Sequence, residues 1–170
     1  MAKGDIEIIE YQSITPVRTY VVGDRDTSGE VQIKAGEPLK ISGTTANHVV
    51  LLEGGDPEIG TDKFVGVAKN DSTETATVEG TVEVYIPVPG VTVFRCKANN
   101  PTAVNTTTKR IGLLNDYVTF DRSASDVFTV NEDEDSDAAH GLVIVDADID
   151  HATIDFVVRG SATLYDNHAI

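Results

Sequence analysis

Ala76-Thr77-Val78-Glu79-Gly80-Thr81-Val82-Glu83-Val84-Tyr85-Ile86-Pro87 is the stretch on which the fold class turns. Small and apolar residues at 76, 78, 80, 82, 84 and 86 alternate with Thr, Glu and Tyr. A period of two sends successive side chains to opposite faces of a strand, so this pattern predicts one face inward and one wet. Pro87 and Pro89 end it, because proline has no N–H to give to a ladder.

Working outward, the same grammar recurs in shorter runs. Val91–Cys96, Val127–Val130, Gly141–Val145, Thr153–Val158 and Ala162–Tyr165 are predicted strands after it. Before it, Val31–Ile33, Leu39–Ile41, Val49–Leu52 and Phe64–Ala68 are predicted strands, divided by the turns Lys34–Pro38, Glu53–Pro57 and Asn70–Ser72. Asn99–Thr108 is a polar loop, and Ile111–Phe120, broken by Gly112, Asn115 and Asp116, is a pair of short strands. No segment carries a 3.6-residue apolar period over ten or more residues. Val, Ile and Thr number 54 against 7 Leu, and β-branched side chains suit a pleated sheet better than a helix. The expectation is an all-β fold, a small β-barrel or sandwich of short, mainly antiparallel strands with an extended N-terminal arm. Residues 1–30 are the arm, and 31–170 form one barrel or sandwich domain. Within that domain Val78–Tyr85 aligns without gaps on Val158–Tyr165, which is either a duplicated strand unit or the ordinary likeness of two half-buried strands.

Charge and cysteine content narrow the function. Net charge is −15. Residues 1–110 hold 15 acids and 11 bases, whereas 111–170 hold 13 acids and only Arg122 and Arg159. That sign repels phosphate backbones and anionic lipid heads, so neither nucleic acid nor membrane is an expected partner. The single Cys96 leaves no internal disulfide, Met1–Asp5 lacks the basic-then-apolar pattern of a signal peptide, and no apolar run approaches a membrane span. A chain made and kept in a reducing cytosol, or assembled there into something larger, is the expectation.

The chemistry-bearing residues point away from catalysis. Asp24–Gly29 reproduces the first half of a calcium loop, but the twelfth position, where a bidentate Glu belongs, is Ala35, so a structural turn is the reading. Glu132–Asp137 holds five acids in six positions, read as a solvated loop tip. Asp146, Asp148 and Asp150 fall two apart, as an exposed turn or a weak cation site. His48, His140, His151 and His168 lack metal-ligand spacing, and Cys96, on a strand after Phe94, reads as a buried inert thiol. No catalytic, cofactor-binding or metal-binding residue is assigned, and the chain is not expected to be an enzyme. Two groups remain as candidate partner contacts: Ile6, Ile8, Ile9 and Tyr11 on the arm, able to add to a sheet edge or to close the chain's own barrel, and the basic cluster Arg95, Lys97, Lys109 and Arg110, set to meet an acidic partner or to balance neighbouring acids.

Lys34-Ala35-Gly36-Glu37-Pro38-Leu39-Lys40-Ile41, followed by Phe64-Val65-Gly66-Val67-Ala68 and the Gly80–Ile86 strand, resembles the head-decoration, or capsid-cement, proteins of tailed bacteriophages, of which the lambda decoration protein is one. The shared features are a turn of the form AG-x-x-L into a strand, a VG-[IV]-[AL] strand and a G-x-V-x-V strand. Ile111–Val118 and Gly141–Val145 fit the style of longer members. The resemblance implies a non-enzymatic structural protein on the outer surface of the virion, made in the host cytoplasm. It also implies binding to the major capsid protein through an arm, and a homotrimer at local three-fold positions. A tail or fibre component, or a β-barrel module binding a small ligand or carbohydrate, are the alternative readings; the latter needs a concave apolar pocket with a few convergent polar groups.

Overall fold

In the computed structural model the described residues are 6–10, 15–23, 33–43, 48–61, 63–75, 77–123, 127–133 and 136–163. Their elements, in chain order, are β1 (Glu7–Glu10), β2 (Val17–Val22), β3 (Pro38–Ile41), β4 (His48–Leu51), β5 (Phe64–Ala68), β6 (Thr81–Tyr85), β7 (Val93–Lys97), α1 (Thr107–Leu113), β8 (Tyr117–Val118), β9 (Phe120–Arg122), β10 (Phe128–Val130), β11 (Leu142–Asp148) and β12 (Thr153–Val158), followed by a 3₁₀ turn at Gly160–Ala162. The fold is all-β. It combines a closed barrel, β2-β4-β3-β5-β6, with an antiparallel sheet of order β1-β7-β12-β11-β8 and a two-stranded pair β9-β10.

Two cores follow from this layout. The barrel interior is aliphatic, filled by Val22, Ile33, Leu39, Val49, Val65, Ala68, Val82, Val84 and Ile86. The other core lies under the five-stranded sheet and takes all five phenylalanines of the chain, Phe64, Phe94, Phe120, Phe128 and Phe156. Their rings meet edge-on or offset at centroid separations of 5.4–6.3 Å, within the range where aromatic pairs attract. The barrel core is built mainly of β-branched side chains, with Tyr20, Ile41 and Leu51 packed against it.

β5 belongs to both cores. Phe64 and Val67 enter the aromatic core, whereas Val65 and Ala68 enter the barrel. Strict alternation would put 65 and 67 on one face. A bulge prevents this: Leu39 pairs with Gly66 and Lys40 with Phe64, so Val65 is the extra residue. Gly66 sits where β6 comes closest, and a Cβ there would stand 2.1 Å from Tyr85 O and 2.7 Å from Val84 Cγ1. Beside the bulge, the buried Lys40 Nζ reaches Asp56 Oδ2 at 3.2 Å, and Asp56 O accepts the N–H of Phe120 at 2.7 Å. This ties barrel strand β3 to the aromatic side.

Several sequence-based expectations need correction. The alternating stretch begins its strand only at Thr81. Before it the chain reverses in a tight turn: Thr75 N–H donates to Val78 O at 3.0 Å, and Val78 N–H returns to Thr75 O at 3.3 Å. The Thr75 hydroxyl also accepts from Val78 N–H, a local bond that competes with a ladder. Val78 is left 60% exposed. Ile111–Phe120 is strand only in its second half, at β8 and the start of β9. Its first residues close α1, which the Thr106 side chain caps by accepting the N–H of Lys109. α1 fully buries none of its residues and leaves Ile111 62% exposed, so it writes no apolar period into the sequence. Ala162–Tyr165 opens in the 3₁₀ turn, with Leu164 and Tyr165 outside the described residues. The proposed duplication fails there too: after Gly80 comes strand β6, but Gly160 starts that turn.

The arm expectation also changes. β2 pairs with β6 on one side and β4 on the other and so closes the barrel. Without it β4 and β6 would present open edges. β1 pairs with β7, and Ile6 is buried in the aromatic core. The described parts of residues 1–30 therefore belong to the folded body. The Asp24–Gly29 half-loop lies outside the described residues.

Gly66→Ala is expected to cost about 3 kcal/mol or more, because the clash is with a strand backbone that cannot step aside. Equilibrium denaturant unfolding of the two proteins measures it; a loss below about 1 kcal/mol, the ordinary cost of a point substitution, would mean that β5 and β6 can separate freely.

Candidate functional site

Alternation in the five-stranded sheet decides which side chains face away from the aromatic core. On β7, Phe94 and Cys96 point in, leaving Val93, Arg95 and Lys97 outside. On β12, Ile154, Phe156 and Val158 point in, leaving Asp155 and Val157 outside. β11 carries a second bulge, where Ile144 pairs with Phe156 and Asp146 with Asp155, skipping Val145. The bulge turns Val145 out, 41% exposed. On β1, Ile8 packs on the core, which sends Glu7 and Ile9 to the outer face.

The outer face is organised in two rows across the strands. One is charged. Glu7 lies opposite Arg95, Arg95 opposite Asp155, and Asp155 opposite Asp146. Arg95 grips Asp155 with two hydrogen bonds, Nε to Oδ1 at 2.7 Å and a terminal nitrogen to Oδ2 at 2.8 Å. Arg110, reaching in from α1, grips Asp146 in the same way, at 2.7 Å for both bonds. Such forks give geometric specificity as well as energy. The hydrogen bonds that Arg95 donates to Asp155 raise the Arg95 pKa against the opposing effect of burial. The second row is apolar: Ile9, Val91, Val93, Val145 and Val157 line a groove of about 440 Å³ that touches Asp146 and Asp155.

The predicted basic cluster is thus divided. Arg95 and Arg110 come together around the Asp155–Asp146 pair and line one pocket. Lys109 instead donates from Nζ to Thr102 O at 2.7 Å and closes its own loop. Lys97 is exposed at the end of β7, opposite Thr153. The arm residues separate as well: Ile6 is buried, Ile8 is half-buried on the core, Ile9 lines the groove, and Tyr11 lies outside the described residues. Asp155 was missed in the sequence. A lone carboxylate inside Thr153–Val158 was the available signal, since a buried charge requires a partner; here it is 6% exposed under Arg95.

The remaining titratable groups act locally. Asp148 accepts from the N–H groups of Asp150 and His151 and from His151 Nδ1 at 2.8 Å. The His151 hydrogen bond is the main cause that holds its carboxyl below the usual range. His140 contacts Tyr117 O at 3.0 Å, and the ring of His48 stands 3.8 Å from Glu79. Among the described residues no three His, Cys, Asp or Glu side chains are grouped to hold a metal ion. No helix among them is long and apolar enough to cross a membrane. A second cleft, of about 580 Å³, opens between Ile6–Ile8, Gly36, Ala68 and Tyr85 where sheet and barrel meet.

The acidic run is not wholly a solvated tip. Glu132 is 5% exposed, and its carboxylate accepts the N–H groups of Asn99 at 2.8 Å and Asn100 at 2.6 Å. Asp133 accepts from the Asn100 side chain. Glu132 thereby pins the loop that leads into α1. Burial raises its pKa, and the backbone donors offset only part of this. Ionisation is then harder in the folded than in the unfolded chain, where the carboxyl titrates near its ordinary 4.5. The stability tied to the protonated form is complete below that value and is lost as pH rises through the folded one. The unfolding free energy of wild type relative to Glu132→Gln should therefore fall as pH rises above about 4.5; a difference that stays flat or rises there contradicts this electrostatic account.

Compared with known proteins, the chain matches no family model, and no curated protein matches it in sequence.

Proposed function

We propose that this chain is a structural protein that binds the outer surface of a tailed-phage capsid and stabilises the shell, with the major capsid protein as its partner. It is made in the host cytoplasm, resides in the virion and is not an enzyme. One observation carries the reading. The three stretches that resemble capsid-cement proteins fall on the turn into β3, on β5, and on β6 with its flanks, and β3, β5 and β6 are consecutive hydrogen-bonded walls of the closed barrel. Short motifs scattered by chance over 170 residues have no reason to converge on one contiguous wall. The five-stranded sheet beside the barrel accounts for the greater length and supplies a broad, rigid outer face.

A ligand-binding reading is favoured by one feature, the apolar cleft of about 580 Å³, which is within the size range of small-molecule sites. Its polar lining includes Lys69, which is paired with Glu83 at 3.0 Å. The capsid reading is preferred because it also explains the barrel motifs.

Co-sedimentation of the full chain with purified expanded capsids tests it. The chain is expected to pellet with the shells at a saturating, fixed ratio to coat protein and to raise their thermal disruption temperature. Failure to pellet at any concentration overturns the reading. Truncation of residues 1–30 is unsuitable for mapping the contact, since it removes barrel strand β2.

A further inference from the structure

The geometry points to the outer face of the five-stranded sheet as a pairing surface for a second copy of this chain, joined about a two-fold axis that runs parallel to the central strand β12. The inference does not rest on the capsid reading.

The charged row has a fixed order. From β1 across to α1 it runs Glu7, Arg95, Asp155, Asp146, Arg110, that is minus, plus, minus, minus, plus. β12 is the third of five strands, so Asp155 stands at the centre. A two-fold axis along β12 lays this row over its own reverse. Glu7 then meets Arg110 of the other copy, Arg95 meets Asp146, and both contacts occur twice. Only Asp155 meets its like, and it is held beneath the Arg95 fork. The row is self-complementary under that operation, which is what an isologous interface demands. A second copy is certain to present this order of charges reversed, and an unrelated partner has to match it by chance.

The apolar row obeys the same operation. It lies one step along the strands from the charges, with Val157 on the central strand, Val93 beside it on β7 and Val143 opposite it on β11, while the bulged Val145 stands next to Asp146. Under the axis Val157 meets Val157 of the other copy and Val93 meets Val143, with the exposed Val145 at the margin of the groove. Elsewhere a chain of net charge −15 repels its own kind. Here two arginines offset part of the repulsion from the acids of the row and from Asp148 and Asp150 beside it. The contact is made by strands of four to seven residues about 4.8 Å apart, with the two-residue β8 at one edge. The pair buries on the order of 1,000 Å², the small end of specific interfaces, so a weak, reversible dimer is expected. The three-fold grouping implied by the family resemblance concerns copies on a shell; the two-fold pairing is a property of the free chain.

Sedimentation equilibrium of the full chain from low micromolar to near-millimolar concentration provides the test. The expected result is a reversible monomer–dimer equilibrium between 18.2 kDa and twice that mass. Val157→Lys should weaken it at least tenfold, with circular dichroism and thermal unfolding confirming that the fold survives; Val145→Lys, on the exposed bulge, serves if Val157→Lys does not fold. Glu7→Arg and Arg110→Glu should each weaken the dimer, and the double variant should recover most of the loss, because the two positions face each other only across the axis. A monomer throughout the range, a trimer, or a dimer indifferent to these lysines overturns the proposal. Failure of the double variant to recover affinity overturns the two-fold registration.

Discussion

Strand β5 is buried along its whole length, and its side chains are divided between an aliphatic barrel and an aromatic core. That double burial constrains everything around it. A strand with water on one side can place polar residues there; Phe64–Ala68 has no such side, and its composition is wholly apolar or Gly. The bulge at Val65 lets neighbouring residues serve different cores, and Gly66 lets β6 close against it. Polar groups near this seam have to be paired. Lys40 and Asp56 pair with each other, an arrangement that is costly to break because either partner alone would be a buried charge.

The surface follows from this body. With the barrel on one side of β5 and the phenylalanines on the other, the five-stranded sheet is left with a face turned away from the protein. The chain arranges that face in rows, one of forked ion pairs and one of β-branched apolar side chains. The two arginines of the basic cluster are committed to Asp155 and Asp146. What the face offers a partner is shape, hydrophobic area and a fixed order of charges.

Much of the sheet was legible because it obeys the period of two: β6 from Thr81, β7, β12 and the apolar run of β5 are where alternation or continuous burial placed them. The failures have particular causes. Thr75 hydroxyl bonding turned the first part of the longest alternating run into a hairpin. α1, being exposed, had no apolar stripe to betray it, and its Thr106 cap lies within a threonine run that reads as loop. Residues 17–22, VRTYVV, are rich in strand formers, yet their role as the closing wall of a barrel depends on a parallel pairing with β4 that local sequence does not specify. The Arg95–Asp155 fork joins residues 60 positions apart, and only strand register brings them together. Glu132 was hidden among acids that resemble it in type but not in burial.

The central claim is that β5 couples the two cores into one cooperative unit. Hydrogen exchange on Phe64→Ala tests this most directly, since the substitution empties a fully buried site on the aromatic side and costs about 3–5 kcal/mol. If the claim holds, amide protection falls together in barrel strands β4 and β6 and in sheet strands β7 and β12. Loss confined to β7 and β12, with β4 and β6 protected as in wild type, would contradict it.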